Sequence, residues 1–223
     1  MGVHSFAGAG AAASAGRSIL MRVESPRTFT ALELRAYARR VAKDRVPLRA
    51  AAGLSPRLRE QIRYGVSLTN RCRHCQLAHE TCALHTGARP AELAAVVGGA
   101  ATAFEPAVWT AILYAQALAA NDFEPQPVLE AATRRYFGAT ETHLVEATAL
   151  EMTVANRCGN TFDALLRRVH GSPDPGSSLL DELVVSGVFL VGAFTSAVRI
   201  AVLRRESPHH VFAALFSRPG AVS

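Results

Sequence analysis

From residue 29 to 44 apolar and charged residues alternate at helical spacing, as in TALELRAYARRVAKD, and Pro47 is expected to end the run. Ser55-Pro56 reads as a helix entry, with Ser55 as N-cap and Pro56 in the first helical position. That helix is expected to reach about Leu68, before a break over residues 69–71. The next spans about 72–86, closed by Gly87 in a left-handed position. Further helices are expected over 90–97, ended by Gly98-Gly99, then 106–120 after Glu105, then 127–137 closed by Gly138. Thr140 is placed to cap a long helix over 141–168, with a bend at Gly159-Asn160. The stretch HGSPDPGSS, residues 170–178, reads as a linker. It precedes LLDELVVSGVFLVGAFTSAVRIAVLRR, the most apolar segment of the chain, and Ser207-Pro208 starts a final helix to about Phe216.

A chain of 223 residues that is 49% hydrophobic can bury a full core. Only 7% of residues are aromatic, and alanine, leucine and valine recur throughout, so an all-α protein is expected, without sheets. Residues 1–26 read as a flexible, low-complexity tail, 27–171 as the main helical domain, and 172–223 as a linker with an apolar C-terminal segment. The net charge of +6 comes from scattered arginines, with Lys43 the single lysine, and no reading motif accompanies it, so no nucleic-acid partner is expected.

Four cysteines, Cys72, Cys75, Cys82 and Cys158, are too few and too unevenly spaced for a disulfide-stapled scaffold. The first residues lack a basic region ahead of an unbroken apolar one, and Phe6 occupies the position where myristoylation needs Ser or Thr. A cytoplasmic location is therefore expected.

Cys72, Cys75, His79 and Cys82 follow at spacings of 3, 4 and 3, which puts them near one face of a helix. Cys82 and Cys158 read as ordinary buried thiols. The pair Cys72-Arg-His-Cys75 reads differently. A helix N-terminus stabilises a thiolate, the short spacing permits a disulfide, and Arg71, Arg73 and His74 add positive charge. His79 lies one turn beyond Cys75, within range of a proton relay. Glu60 joins them only if the chain folds back near Asn70. It then stands level with His79 on an antiparallel helix, whereas an unbroken helix would hold it about 18 Å from Cys72. A zinc site is disfavoured, since Cys72 and Cys82 lie about 15 Å apart along one axis; it would need further ligands, with His74 or His85 nearest. No metal and no cofactor are expected.

Glu60, eleven residues, Cys72-x-x-Cys75, three residues and His79 together resemble the E-x11-C-x2-C-x3-H signature of the carboxymuconolactone decarboxylase and AhpD-like alkylhydroperoxidase superfamily. LYAQALAANDF at 113–123, Asn156-Arg157 and Asp163-Ala-Leu are similar to its peroxidase-related members. The resemblance runs from about Ser55 to Arg168. It implies an all-α, AhpD-like helical fold, here with N- and C-terminal helical extensions, and assembly as a homo-oligomer. It further implies that Cys75 attacks a hydroperoxide, that Cys72 resolves the sulfenic acid as a disulfide, and that His79 with Glu60 relays protons. An external dithiol electron donor must then reduce the disulfide. Arg73-His74 and the third thiol of Cys82 depart from the usual pattern and make the resolving role less secure than the attacking one.

Two other functions fit the same residues: a thiol-disulfide adaptor serving another peroxidase, and a carboxymuconolactone decarboxylase-like enzyme that needs the acid-base pair but no redox pair. The apolar segment 183–203 also requires a reading. Its run LVVSGVFLVGAFTSAV is sixteen residues long before Arg199, short of the ~20 that cross a bilayer. Burial in the core or at a subunit interface, with Gly187, Gly192 and Ala193 allowing close helix approach, is expected. Membrane association through 183–203, with Arg204-Arg205 at a cytoplasmic end, is the alternative.

Overall fold

Helix entry in this chain is marked by proline, and the computed structural model places Pro56, Pro90, Pro106, Pro127 and Pro208 each at the start of a helix. The structure describes residues 25–48 and 53–217; most of the 1–26 tail lies outside them. The elements are α1 (Ala31–Leu48), α2 (Pro56–Thr69), α3 (Arg73–His85), α4 (Pro90–Gly98), a 3-10 turn (Ala101–Ala103), α5 (Pro106–Ala120), α6 (Pro127–Val169), α7 (Leu179–Arg204) and α8 (Pro208–Ser217). No strand occurs among the described residues, so the all-α expectation holds.

Three local expectations need correcting. Pro47 does not end α1, which continues to Leu48. Within residues 127–169 two helices meet at a kink at Gly138 (φ 78°, ψ 179°), which is not helical and stands where the first of them was expected to close. The hydroxyl that bonds at the start of the second helix is that of Thr142, two residues past the cap expected at Thr140, donating to the Gly138 carbonyl at 2.6 Å. The helix also runs through Gly159-Asn160 without a bend. Gly159 serves close packing: a Cβ there would lie 2.7 Å from Cys72 Sγ and 3.0 Å from the Phe189 ring.

The central core joins α2, α3, α5 and α6, with Ile62, Val66, Ile112, Tyr114, Val145 and Ala149 fully enclosed. α7 packs along α6, and with α8 it covers the outer side of α3, burying Ala78 and Cys82 against Ala197, Ile200, Val211 and Leu215. The linker 170–178 thus leads into helices that share the core with α3 and α6.

The break between α2 and α3 positions the site. Ser55 Oγ accepts from the Leu58 amide at 3.2 Å and starts α2. Asn70 ends it, and Arg71 takes a left-handed conformation (φ 58°) that reverses the chain. The turn is clamped from α6, because Asn160 Nδ2 donates to the Asn70 carbonyl at 2.9 Å and to the Arg27 carbonyl at 3.1 Å. Thr153 Oγ1 accepts from Asn70 Nδ2 at 3.2 Å. Asn160→Ala removes two hydrogen bonds at once, one buried and one partly buried, and is expected to lower unfolding free energy by about 2 kcal/mol. A urea titration followed by circular dichroism, with an unchanged slope, is the measurement; an unshifted midpoint would mean the turn holds itself.

Candidate active site

Cys72 is the residue before the first turn of α3, in extended conformation (φ −86°, ψ 100°), and Cys75 lies within that turn. Both are buried, Cys72 completely. Their sulfurs are free thiols hydrogen bonded to each other at 2.9 Å. Cys72 Sγ has the space left by Gly159 on α6, with the Phe189 ring of α7 beside it.

The charge around this pair differs from the simplest reading of its neighbours. Asp163 of α6 holds Arg73 through two bonds, at 3.1 and 2.7 Å, and faces His74 Nε2 at 3.0 Å. His74 Nδ1 faces the Leu215 carbonyl at 2.9 Å, so both ring nitrogens meet acceptors, and both bonds form only when the ring carries two protons. Phe162, Phe189 and Phe216 surround this ring, with centroids 6.0, 5.5 and 5.0 Å away. The positive charge next to the thiols is therefore spent on Asp163. The bond to Cys72 and then burial push the Cys75 thiol well above its ordinary value, and Cys158 and Asp163 push the same way. At rest Cys75 is a thiol, against the expectation of a thiolate favoured by Arg71, Arg73 and His74.

One turn along α3, His79 Nδ1 meets Glu60 Oε2 of α2 at 2.8 Å, so the fold-back at Asn70 does bring the acid and the imidazole together. Glu60 is 1% exposed. Its other oxygen accepts from Arg63 at 3.0 Å and from Arg199 of α7 at 2.9 Å. Burial would raise the Glu60 carboxyl, but the hydrogen bond and charge of His79 with the two guanidinium groups outweigh it and bring it down to about 2. Burial also holds His79 below its ordinary value, against the pull of Glu60, so the ring is neutral at pH 7. With an ionised carboxylate on Nδ1, that nitrogen carries the proton and Nε2 is left as the base.

The four expected site residues thus fall into two adjoining pairs on α2 and α3. Cys82 and Cys158 are buried, as expected of ordinary thiols; burial raises Cys82, and it pushes Cys158 up to about 12. Among the described residues no group of three or more His, Cys, Asp or Glu side chains is arranged to hold a metal ion. Arg63, Asp163, Gly159 and Arg199 were not expected here. Arg63 follows Glu60 at i+3 and could have been read from helical spacing. Arg199, the one charge inside an apolar run, was a signal of a buried partner.

Residues 34–117 match the model of the carboxymuconolactone decarboxylase family. No curated protein and no solved structure matches the chain. The match begins in α1, ahead of the Ser55 start suggested by the motif, and ends in α5, short of Arg168. It includes Glu60, both cysteines of the pair and His79. Gly159, Asp163, Phe189 and Arg199 all come from beyond it.

Glu60 has an acid signature. Its folded value of about 2 lies below the ordinary 4.5, so the stability it contributes is complete above pH 4.5 and is lost as pH falls toward 2. The difference in unfolding free energy between wild type and Glu60→Gln is expected to shrink across that window, by on the order of 3 kcal/mol. Urea titrations at successive pH values read it directly, and a constant difference would show that the carboxylate gains nothing from its partners.

Proposed function

With residues 34–117 placed in the carboxymuconolactone decarboxylase family, whose members are generally enzymes, we propose that this protein is an AhpD-like thiol peroxidase acting on hydroperoxides. The observation that carries the reading is the buried Cys72–Cys75 pair at 2.9 Å, one helical turn from a Glu60–His79 acid-base pair.

The reaction proceeds from the resting thiols. His79 Nε2 takes the Cys75 proton, directly or through a water, because burial and Cys72 keep that thiol protonated and a general base is needed to ionise it. The Cys75 thiolate attacks the terminal oxygen of the hydroperoxide and breaks the O–O bond. Cys75 becomes a sulfenic acid, and the leaving alkoxide is protonated by the proton held on His79. Glu60 stabilises the transient imidazolium and, gripped by Arg63 and Arg199, keeps the ring oriented. Cys72 then attacks the Cys75 sulfur, the disulfide forms, and the departing hydroxide takes the Cys72 proton and leaves as water. The sulfurs need approach by only roughly an ångström for this bond. An external dithiol returns two electrons and two protons and restores both thiols.

Two related activities use the same residues differently. An adaptor would exchange disulfides with a partner peroxidase and turn over little peroxide alone. A decarboxylase-like enzyme would use Glu60 and His79 without the sulfurs. Peroxide consumption with a dithiol supplied and no partner protein separates all three. Cys75→Ser is expected to abolish turnover. Cys72→Ser is expected to consume one equivalent and stall as a sulfenic or over-oxidised species, seen by intact mass. Glu60→Gln and His79→Phe are expected to lower the rate by about 10²-fold with the fold retained. Steady turnover by Cys75→Ser would defeat the proposal.

A further inference from the structure

Of the sixteen large hydrophobic side chains exposed among the described residues, ten stand on α7, from Leu179 to Val202. They form one face. α7 is apolar on both sides: Val185, Phe189, Ala193, Ala197 and Ile200 are buried against the core, while Leu180, Val184, Val191, Phe194 and Val198 look outward. The outward positions 180, 184, 187, 191, 194 and 198 alternate at spacings of four and three, the seam that a second helix packs into at a shallow angle. No charged side chain interrupts it, since Arg199 turns to Glu60 and Glu182 to Arg168.

We infer that this face is the interface between two copies of the chain, packed antiparallel along α7. Three observations favour a second copy. Ten such side chains expose on the order of 1,000 Å² in each protomer, against the roughly 800 Å² that each partner buries in a stable interface. The seam is also self-complementary: antiparallel helices centred level with Phe189 set Leu180, Val184 and Gly187 of each over Val198, Phe194 and Val191 of the other, and nothing lies within 4 Å of where a Gly187 Cβ would be. Lastly, the arrangement sets the end of each α7 that carries Asp181 toward the end of the other that carries Arg204 and Arg205, and opposes the two helix dipoles. A membrane surface fits less well, because an interfacial helix carries basic side chains along the flanks of its apolar face, whereas here Arg199 is held on Glu60 and the other basic residues stand at the helix end. The inference is independent of the thiol chemistry.

The test uses the full chain in analytical ultracentrifugation, with vesicles of phosphatidylcholine and phosphatidylglycerol for flotation. Wild type is expected to be a dimer at micromolar concentration, and Val191→Glu with Phe194→Glu to weaken it at least 100-fold while circular dichroism stays helical. Val198→Lys, elsewhere on the seam, repeats the test if that double variant loses helicity. Gly187→Leu discriminates between surfaces, because it fills the notch that receives Val191 yet makes the face more apolar. It is expected to weaken the dimer. A monomeric wild type, a dimer indifferent to these changes, or vesicle flotation strengthened by Gly187→Leu would overturn the inference, the last in favour of a membrane.

Discussion

A carboxylate with almost no contact with water must be surrounded by donors or it will not stay ionised, and Glu60 is surrounded from three helices. Arg63 comes from its own helix, His79 from α3 and Arg199 from α7. Each contact fixes a different relationship. The His79 bond requires α2 and α3 to be antiparallel and level, which the left-handed Arg71 makes feasible. The Arg199 bond requires α7 to lie across the open side of that pair. Removing one donor leaves the others, so the site resists small shifts, while replacing the acid would take the counter-charge from Arg199 and leave Arg63 with Glu151 alone.

The thiols obey the opposite logic. Cys72 and Cys75 sit in an apolar pocket closed by Gly159 and Phe189, and the nearby positive charge is already bound to Asp163. Such a pocket protects sulfur from adventitious oxidation and makes its ionisation depend on a base supplied at the right moment. Under the proposed peroxidase reading, this explains why an acid-base pair is needed beside a motif that often supplies its own thiolate. The Asp163 cluster holds the first turn of α3 to α6, α7 and α8, so it sets where the sulfurs sit more than how they ionise.

Local signals were legible in the sequence and long-range ones were not. Ser55-Pro56, Gly87 and Gly99 act through their own backbone geometry, and each stands where its chemistry implied. Gly138 interrupts the helix where its close was expected, and two helices meet there at a kink. The bend expected at Gly159 fails for a tertiary reason: the missing side chain makes room for Cys72, a residue 87 positions earlier. The reading of Glu60 with His79 succeeded because it required only one turn and equal helix lengths on either side. The influence of Asp163 on Arg73 and His74 depends on how α6 packs, which spacing along α3 does not encode.

The C-terminal helix shows most plainly where composition stops being informative. A run of apolar residues has the same hydropathy whether it faces a core, a bilayer or another protein, and α7, long and apolar enough to cross a membrane, still buries one side against α6 and α3. What separates the cases is the angular position of the few polar residues. Arg199 could stay within this apolar run because Glu60, on the protein side, neutralises it. On the outward side there is no charge to neutralise, and Gly187 and Gly192 offer a backbone that a neighbouring helix can approach closely. One helix therefore carries two constraints at once. Its inner face must keep Arg199 on Glu60, and its outer face presents an apolar surface, so any change that tilts α7 to suit one is felt at the other.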